Sequence, residues 1–558
     1  MRISSFGCVL TAAATALTVW MPTAEAAEVK GVARSGEWLG NSTAAGDFDG
    51  DGFADLAVGV PGDAVRRGTE QLPGAGAVNV VYGSANRLKV AGDQRWTQDR
   101  AGVRGAAEGR DQFGAALAAG DFDRDGFDDL AIGVPYEAVT RSGERRVAAG
   151  AVNVLFGSPT GLRAARGHLI TQDSPGLRGR SEANDQFGTA LAVGDFGRGP
   201  AADLAIGAPS EDFPSHGERL NSPGLVHVVH GSATGLSAAG DQVWSQDSRG
   251  IRGRAEPFDE FGVALAAANL GRGGRADLAV GVPLESLRTD GERQQYAGSV
   301  HAIYGSRTGL DAAGDQVWTQ NTVGIGEAAY GYDQFGKALA AANFGNGPRA
   351  DLAVGVPNED FPGQRPNTFD AGVVQVVFGS GQGLRARDDQ VWSQDSPGIA
   401  GGAESEFRPE AFGNALAAGR LDDDGLADLV VGVCEDQATE FDLVRGAAHV
   451  IRGSPTGLHA NHDQLWSQAS PGVPGAAEYG DEFACTGSLL WSTPLTAGNF
   501  GRGRTADLAV GVAGENPSDG SFVHRGDAGA FNVIYAAGGE LQGAKAQLWH
   551  QRVPGTAR

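Results

Sequence analysis

Four aspartates stand at spaced positions in the stretch DFDGDGFAD: Asp47, Asp49, Asp51 and Asp55, with Gly52 after the third. Carboxylates at loop positions 1, 3, 5 and 9 point inward, and a glycine at position 6 permits the sharp turn that gathers them. The main-chain carbonyl of Phe53, at position 7, adds a backbone ligand. Carboxylates held so close repel one another unless a cation sits among them. Calcium fits better than zinc, because no His or Cys is offered, and better than magnesium, because so many protein oxygens are. A second stretch repeats the set with Asp121, Asp123, Asp125 and Asp129, Gly126 and the carbonyl of Phe127. In a third, Arg420 takes the first place and leaves Asp422, Asp424 and Asp428 with the carbonyl of Leu426. That loop is open to two readings, a weaker calcium site or carboxylates neutralised by the guanidinium. Two calcium ions are therefore expected and a third is possible, against the plainer alternative of Asp- and Gly-rich turns.

No other grouping of residues announces chemistry. There is no G-x-S-x-G elbow and no H-E-x-x-H pair, so no catalytic residue is assigned and the chain is not read as an enzyme. His227, His301 and His449 recur in register with Asn79, Asn153, Gln375 and Asn532, each between apolar neighbours, which reads as a buried polar contact. Asp111, Asp185, Asp259 and Asp333 recur in the same way and read as structural.

The elements that carry the loops repeat. Loop starts fall at Asp47, Asp121, Asp195, Asn269, Asn343, Arg420 and Asn499. Copies three, four, five and seven have glycines at positions 3 and 5 and are expected to be metal-free. Each copy holds four short strand-like segments punctuated by Gly, Pro and Asp. The first is small and apolar, as in FGAALAAGDF; the second reads DLAVGVP or a variant; the third alternates, as in AGAVNVVYGS; the fourth resembles DQVWSQD. Such segments cannot bury a face alone, but seven four-stranded sheets around an axis can. The fold class expected is all-β, a seven-bladed β-propeller of four-stranded antiparallel blades. An open solenoid would need polar capping repeats, and none is present. Because the repeat begins in a first segment and ends after a fourth, no strand borrowed from the opposite end is expected.

A Phe-Gly pair, a D-x-D-x-D-G loop and a G-x-P turn, seen in full in copy two, together resemble the FG-GAP repeat. Phe-Gly pairs begin at 113, 187, 261, 335 and 412, with Leu39-Gly40 in the first copy and Phe483-Ala484 in the last. Seven copies resemble the propeller of integrin α-subunits and of bacterial integrin-α-like proteins. The resemblance spans about residues 38–551 and implies calcium binding and an adhesion or extracellular interaction role, with a protein or glycan partner. It is similar also to the propeller of phospholipase D that cleaves glycosylphosphatidylinositol anchors, so a hydrolase of that type is one alternative; a carbohydrate-binding propeller is another. The integrin leg domains and membrane span have no counterpart in this sequence, so a receptor role is not carried over. An Arg525-Gly526-Asp527 triplet is attributed to chance in a chain rich in all three residues.

Partner choice is expected on the face that carries the second-to-third-strand loops, opposite the calcium loops. Those loops include SEDFPSHGERLNSP, LESLRTDGERQQY and NEDFPGQRPNTFD, with Phe213, Tyr296 and Phe361 as candidate contacts; a solvated rim is the alternative. Residues 1–26 read as a secretory signal peptide, with Arg2, an apolar run and Ala24-Glu25-Ala26 before the cleavage point. Residues 27–37 then form a short N-terminal segment, and 552–558 a tail. In an exported chain Cys434 and Cys485, placed on adjacent blades, are a disulfide candidate. The chain is otherwise rich in glycine, 88 of 558 residues, as tight turns require, and its net charge of −24 disfavours nucleic acid and anionic membrane as partners. The expectation is a secreted protein, possibly held at the cell surface, without membrane insertion and monomeric.

Overall fold

The computed structural model describes residues 27–32, 34, 36–289, 291–326, 328–360, 371–401, 410–434, 446–478, 480–485, 493–516 and 528–552. The expected leader, Phe361 and the Arg525-Gly526-Asp527 triplet lie outside them. Among the described residues, seven antiparallel sheets of at least four strands form seven blades. In blade one, Thr43–Gly46 pairs with Asp55–Val60, that strand with Ala77–Tyr82, and that with Lys89–Trp96. Each residue of the second and third strands of blade one is buried, because a blade inside the ring has a neighbour on both faces. No helix among the described residues is long and apolar enough to cross a membrane.

The Phe-Gly pair is the joint between blades. Phe113, Phe187, Phe261, Phe335, Phe412 and Phe483 are all fully buried. The residue after each phenylalanine, a glycine except for Ala484, lies against the second strand of the preceding blade: a Cβ on Gly59 would stand 2.1 Å from the Gly114 carbonyl oxygen. A Cβ on Gly114 would also meet the Ala77 carbonyl oxygen at 2.7 Å, which explains why both glycines recur, although Ala484 takes the second position in blade seven. The outer-strand tryptophans, from Trp96 to Trp549, are 0–9% exposed and fill the wide rim of the blades, with Ile170 in their place in blade two.

The same joint closes the ring. Gly40 of blade one packs on Gly511 of blade seven, and the Leu39 and Thr43 amides donate to the carbonyls of Ala528 and Thr493. The chain is a closed propeller and not an open solenoid. Closure departs from expectation in one respect. Residues Ala27–Val32 form a strand that pairs in parallel with Glu540–Arg552, so blade seven has five strands and its outermost comes from the opposite end of the chain. Val29 is 3% exposed there and belongs to the same core as Phe531 and Trp549. Covering that apolar surface and the free edge is the physical gain that a four-segment reading of the repeat does not reveal.

The second-to-third-strand loops of blades one to four are themselves small hairpins, such as Val65–Arg67 with Glu70–Leu72 and Phe213–Ser215 with Glu218–Leu220. Each turns at a glycine with positive φ, Gly68, Gly143, Gly217 or Gly291. These hairpins and the blade-to-blade connections share one face. The aspartate loops and the G-S-x-x-G-L turns share the other.

Candidate metal centres

In the first loop the carboxylate of Asp47 organises the turn: Oδ1 accepts from the amides of Gly50 (2.7 Å) and Asp51 (3.1 Å), and Oδ2 from Gly52 (3.0 Å). Asp49 accepts from the Asp51 amide at 3.2 Å. Asp55 opens the second strand and is fully buried, with Oδ2 accepting from Phe48 and Oδ1 from Gly83, both at 2.8 Å. Oxygens of Asp47, Asp49 and Asp55 all come within 4.8 Å of one another. Asp121, Asp123 and Asp129 make the same cluster in the second loop. Burial, followed by the charges of the neighbouring aspartates, pushes Asp55 and Asp129 up to about 8. A hard oxygen set strained by like charge is what a divalent cation relieves, so these residues fit calcium.

The fourth aspartate of each set stands apart. Asp51 accepts from the Phe53 amide at 3.0 Å and faces the Lys89 ammonium at 3.6 Å, while Asp125 accepts from Phe127 at 3.2 Å. Asp123 also holds the Arg166 guanidinium at 2.9 Å. The two loops are latched together through Asp128, whose carboxylate accepts from the Asp47 amide at 2.9 Å and whose own amide donates to the Asp47 carbonyl. Asp128, at position 8, carries no mark in the sequence of the loop. Copy one has alanine there, and no spacing rule marks it.

The sixth loop is filled differently. Arg452, from the third strand and 4% exposed, places its guanidinium 3.1 Å from Asp428, 3.8 Å from Asp422 and 2.9 Å from the Gln464 amide oxygen. Asp424 accepts from the Leu426 amide at 2.8 Å. The neutralising cation beside these carboxylates is therefore Arg452; no ion pair joins them to Arg420. In blades three and four the next blade supplies the cation. Arg275 pairs with Asp195 and donates to the Gly199 carbonyl; Arg349 donates to Asn269 Oδ1 at 2.9 Å and to the Gly273 carbonyl. The signal in sequence is an arginine at position 7 of the following copy, which only the inter-blade geometry makes meaningful.

On the hairpin face Phe213 is half-buried opposite Leu220, and Tyr296 stands edge-on to Tyr332, ring centroids 5.5 Å apart. Tyr332 is 56% exposed. The structure does not bring Phe213 and Tyr296 into one site. Cys434 and Cys485 face each other with sulfurs 2.15 Å apart, joining blades six and seven. His227, His301 and His449 are buried edge-on or tilted against Phe187, Phe261 and Phe412, each beside an outer-strand aspartate, as structural contacts.

A family model described as the FG-GAP repeat matches residues 39–81 and 113–155, the two blades that hold the clustered loops. The chain carries FG-GAP repeats. Its FG-GAP propeller is similar to integrin alpha-PS2 of Drosophila melanogaster, 32% identical over 44% of this chain and 15% of that one. It is similar also to integrin alpha-V of Gallus gallus, 28% identical over 44% and 20%. Phosphatidylinositol-glycan-specific phospholipase D of Bos taurus is 28% identical over 44% and 26%. The matches thus span about a quarter or less of those proteins' length.

Proposed function

We propose that the chain is a calcium-stabilised extracellular interaction module, with ions held by Asp47, Asp49 and Asp55 and by Asp121, Asp123 and Asp129, and a macromolecular partner on the hairpin face. The observation that carries this reading is the convergence of three carboxylates in each of two adjoining loops. Asp51, Asp125 and the carbonyls of Phe53 and Phe127 complete the shells as each loop closes on its ion. A cation there removes the repulsion and fixes the loops against each other through Asp128. The opposite face is then a rigid base for the hairpins. The similarity to integrin α-chains supports adhesion, and the leader expected at 1–26 supports export.

Thermal melts with calcium and with chelator test the metal. At about a hundred times its Kd, calcium adds about 2.7 kcal/mol per site. Asp47→Asn and Asp121→Asn should each remove one of two equivalents in a calcium titration. An unchanged melting temperature counts against the proposal. Matrix-protein arrays with and without calcium test the partner, and turnover of a phosphodiester by the pure protein would favour the phospholipase reading instead.

A further inference from the structure

Blade one breaks the repeat at three neighbouring places on the hairpin face. Gly36 stands where blades two to five carry Arg110, Asn184, Phe258 and Tyr332. Trp38 stands where blades two, three and five carry Gln112, Gln186 and Gln334, and Gly62 where blade two carries Tyr136. A side chain on Gly36 would project into open space, and its absence leaves a cleft of about 580 Å³ at the junction of blades one and two. That lies within the roughly 300–1,000 Å³ of small-molecule sites.

We propose that this cleft binds an acidic sugar, a pyranose bearing a carboxylate. Trp38 and Tyr136 line it and supply flat apolar surface for the C–H face of a sugar ring. Gln71 and Gln112 supply amides for hydroxyls, and Arg34 and Arg110 supply guanidinium forks for the carboxylate. Arg110, both glutamines, the Trp38 indole N–H and the Tyr136 hydroxyl have no side-chain hydrogen bond to a described residue, so the cleft presents a full set of unspent polar groups. Arg34 is 3.9 Å from Glu37, which is 1% exposed on the cleft floor. Burial pushes Glu37 up to about 8, so at neutral pH its carboxyl is mostly uncharged and does not oppose an anion. A peptide adding as a strand would need free main-chain donors. The Arg110 and Gln112 amides are already committed to the carbonyls of Pro73 and Gly74, which favours the sugar.

The assignment rests on reading the hairpin face as the binding face. Fold-safe variants come from the repeat itself. Gln112 holds φ +58° where Trp38 holds +54°, and Asn184 holds +71° where Arg110 holds +74°, so Trp38→Gln and Arg110→Asn keep residues already accepted in that backbone. Binding to the full chain is followed by isothermal titration calorimetry on adding glucuronate and short oligogalacturonates, with cellobiose as neutral control and a Glu-rich peptide as competitor. Saturable binding is expected, weaker for cellobiose, and reduced about tenfold by either variant at unchanged melting temperature. No response to the acidic sugars, or binding that both variants retain, overturns the proposal; so does binding of the acidic peptide alone. A macromolecular partner bound equally well by both variants would sink this cleft while sparing the hairpin face. Loss of all array binding would sink the face and leave the sugar titration to stand or fall separately.

Discussion

Asp277 belongs to a loop without a metal set, yet its carboxylate is held as firmly as that of Asp55. Oδ2 accepts from Gly271 at 3.0 Å and Oδ1 from Gly305 at 2.7 Å, and the residue is fully buried. The same two-armed bond recurs at Asp129, Asp203, Asp351, Asp428 and Asp507. Position 9 therefore ties loop, second strand and third strand in each blade, and any oxygen it lends to the proposed calcium is secondary to that role. The sequence carries the clue, since all seven copies keep this aspartate while most lose positions 3 and 5. Asp277→Ala leaves two buried amides unpaired, at about 1–3 kcal/mol each. Urea unfolding should show that loss with calcium stoichiometry unchanged; a neutral substitution would mean the bonds add nothing.

At the scale of the loop and its strands, the same turn holds three converging carboxylates in blades one and two and a buried arginine in blade six. Blades one and two have Tyr82 and Phe156 at the third-strand position that Arg452 occupies in blade six. The Tyr82 hydroxyl reaches across to accept from the Leu162 amide at 3.0 Å, whereas the Arg452 guanidinium turns onto its own loop. Arg420→Asp with Arg452→Tyr restores the first carboxylate and withdraws the internal cation. The double variant should bind a third calcium equivalent and melt more calcium-dependently than the parent. A count that stays at two would show that backbone geometry, and not these two side chains, excludes the ion.

Across the whole ring, buried carboxyl groups recur at the blade junctions. Gln98, Gln172, Gln246 and Gln468 each donate to a glutamate of the next blade, Glu137, Glu211, Glu285 or Glu515. Beside them lie Asp111, Asp185, Asp259 and Asp481, also buried. Burial raises Glu137 and Glu515 to about 7 and Asp111 to about 6. The folded chain thus holds protons that the unfolded chain releases near the ordinary carboxylate value of about 4. Their stabilisation is complete below that value and is lost as pH rises through about 6 to 7. In chelator, so that calcium's own pH dependence is absent, unfolding free energy should fall from pH 5 to pH 8. Glu137→Gln should flatten that fall by on the order of 1 kcal/mol per pH unit between about pH 5 and 7. A slope unaltered by the substitution would place the protons elsewhere.

Strand segments, repeat length, blade number and the two full aspartate sets follow from sequence alone. They are local or periodic: glycines where backbones touch, alternate carboxylates in one turn, apolar runs of strand length. The tertiary structure decided what depends on residues far apart in the chain. The Ala27–Val32 strand finds its partner more than five hundred residues away. Arg275 and Arg349 act on the preceding blade, and Arg452 reaches back some thirty residues to its loop. The sulfurs of Cys434 and Cys485 meet across a blade boundary. Trp38 and Tyr136 line one cleft between two blades because Gly36 leaves space open there and Gly62 lets the Gly36 backbone pack against it. Periodicity specifies a blade, but a cation's partner, a closing strand or a cleft is fixed only when the ring brings distant side chains within a few ångströms.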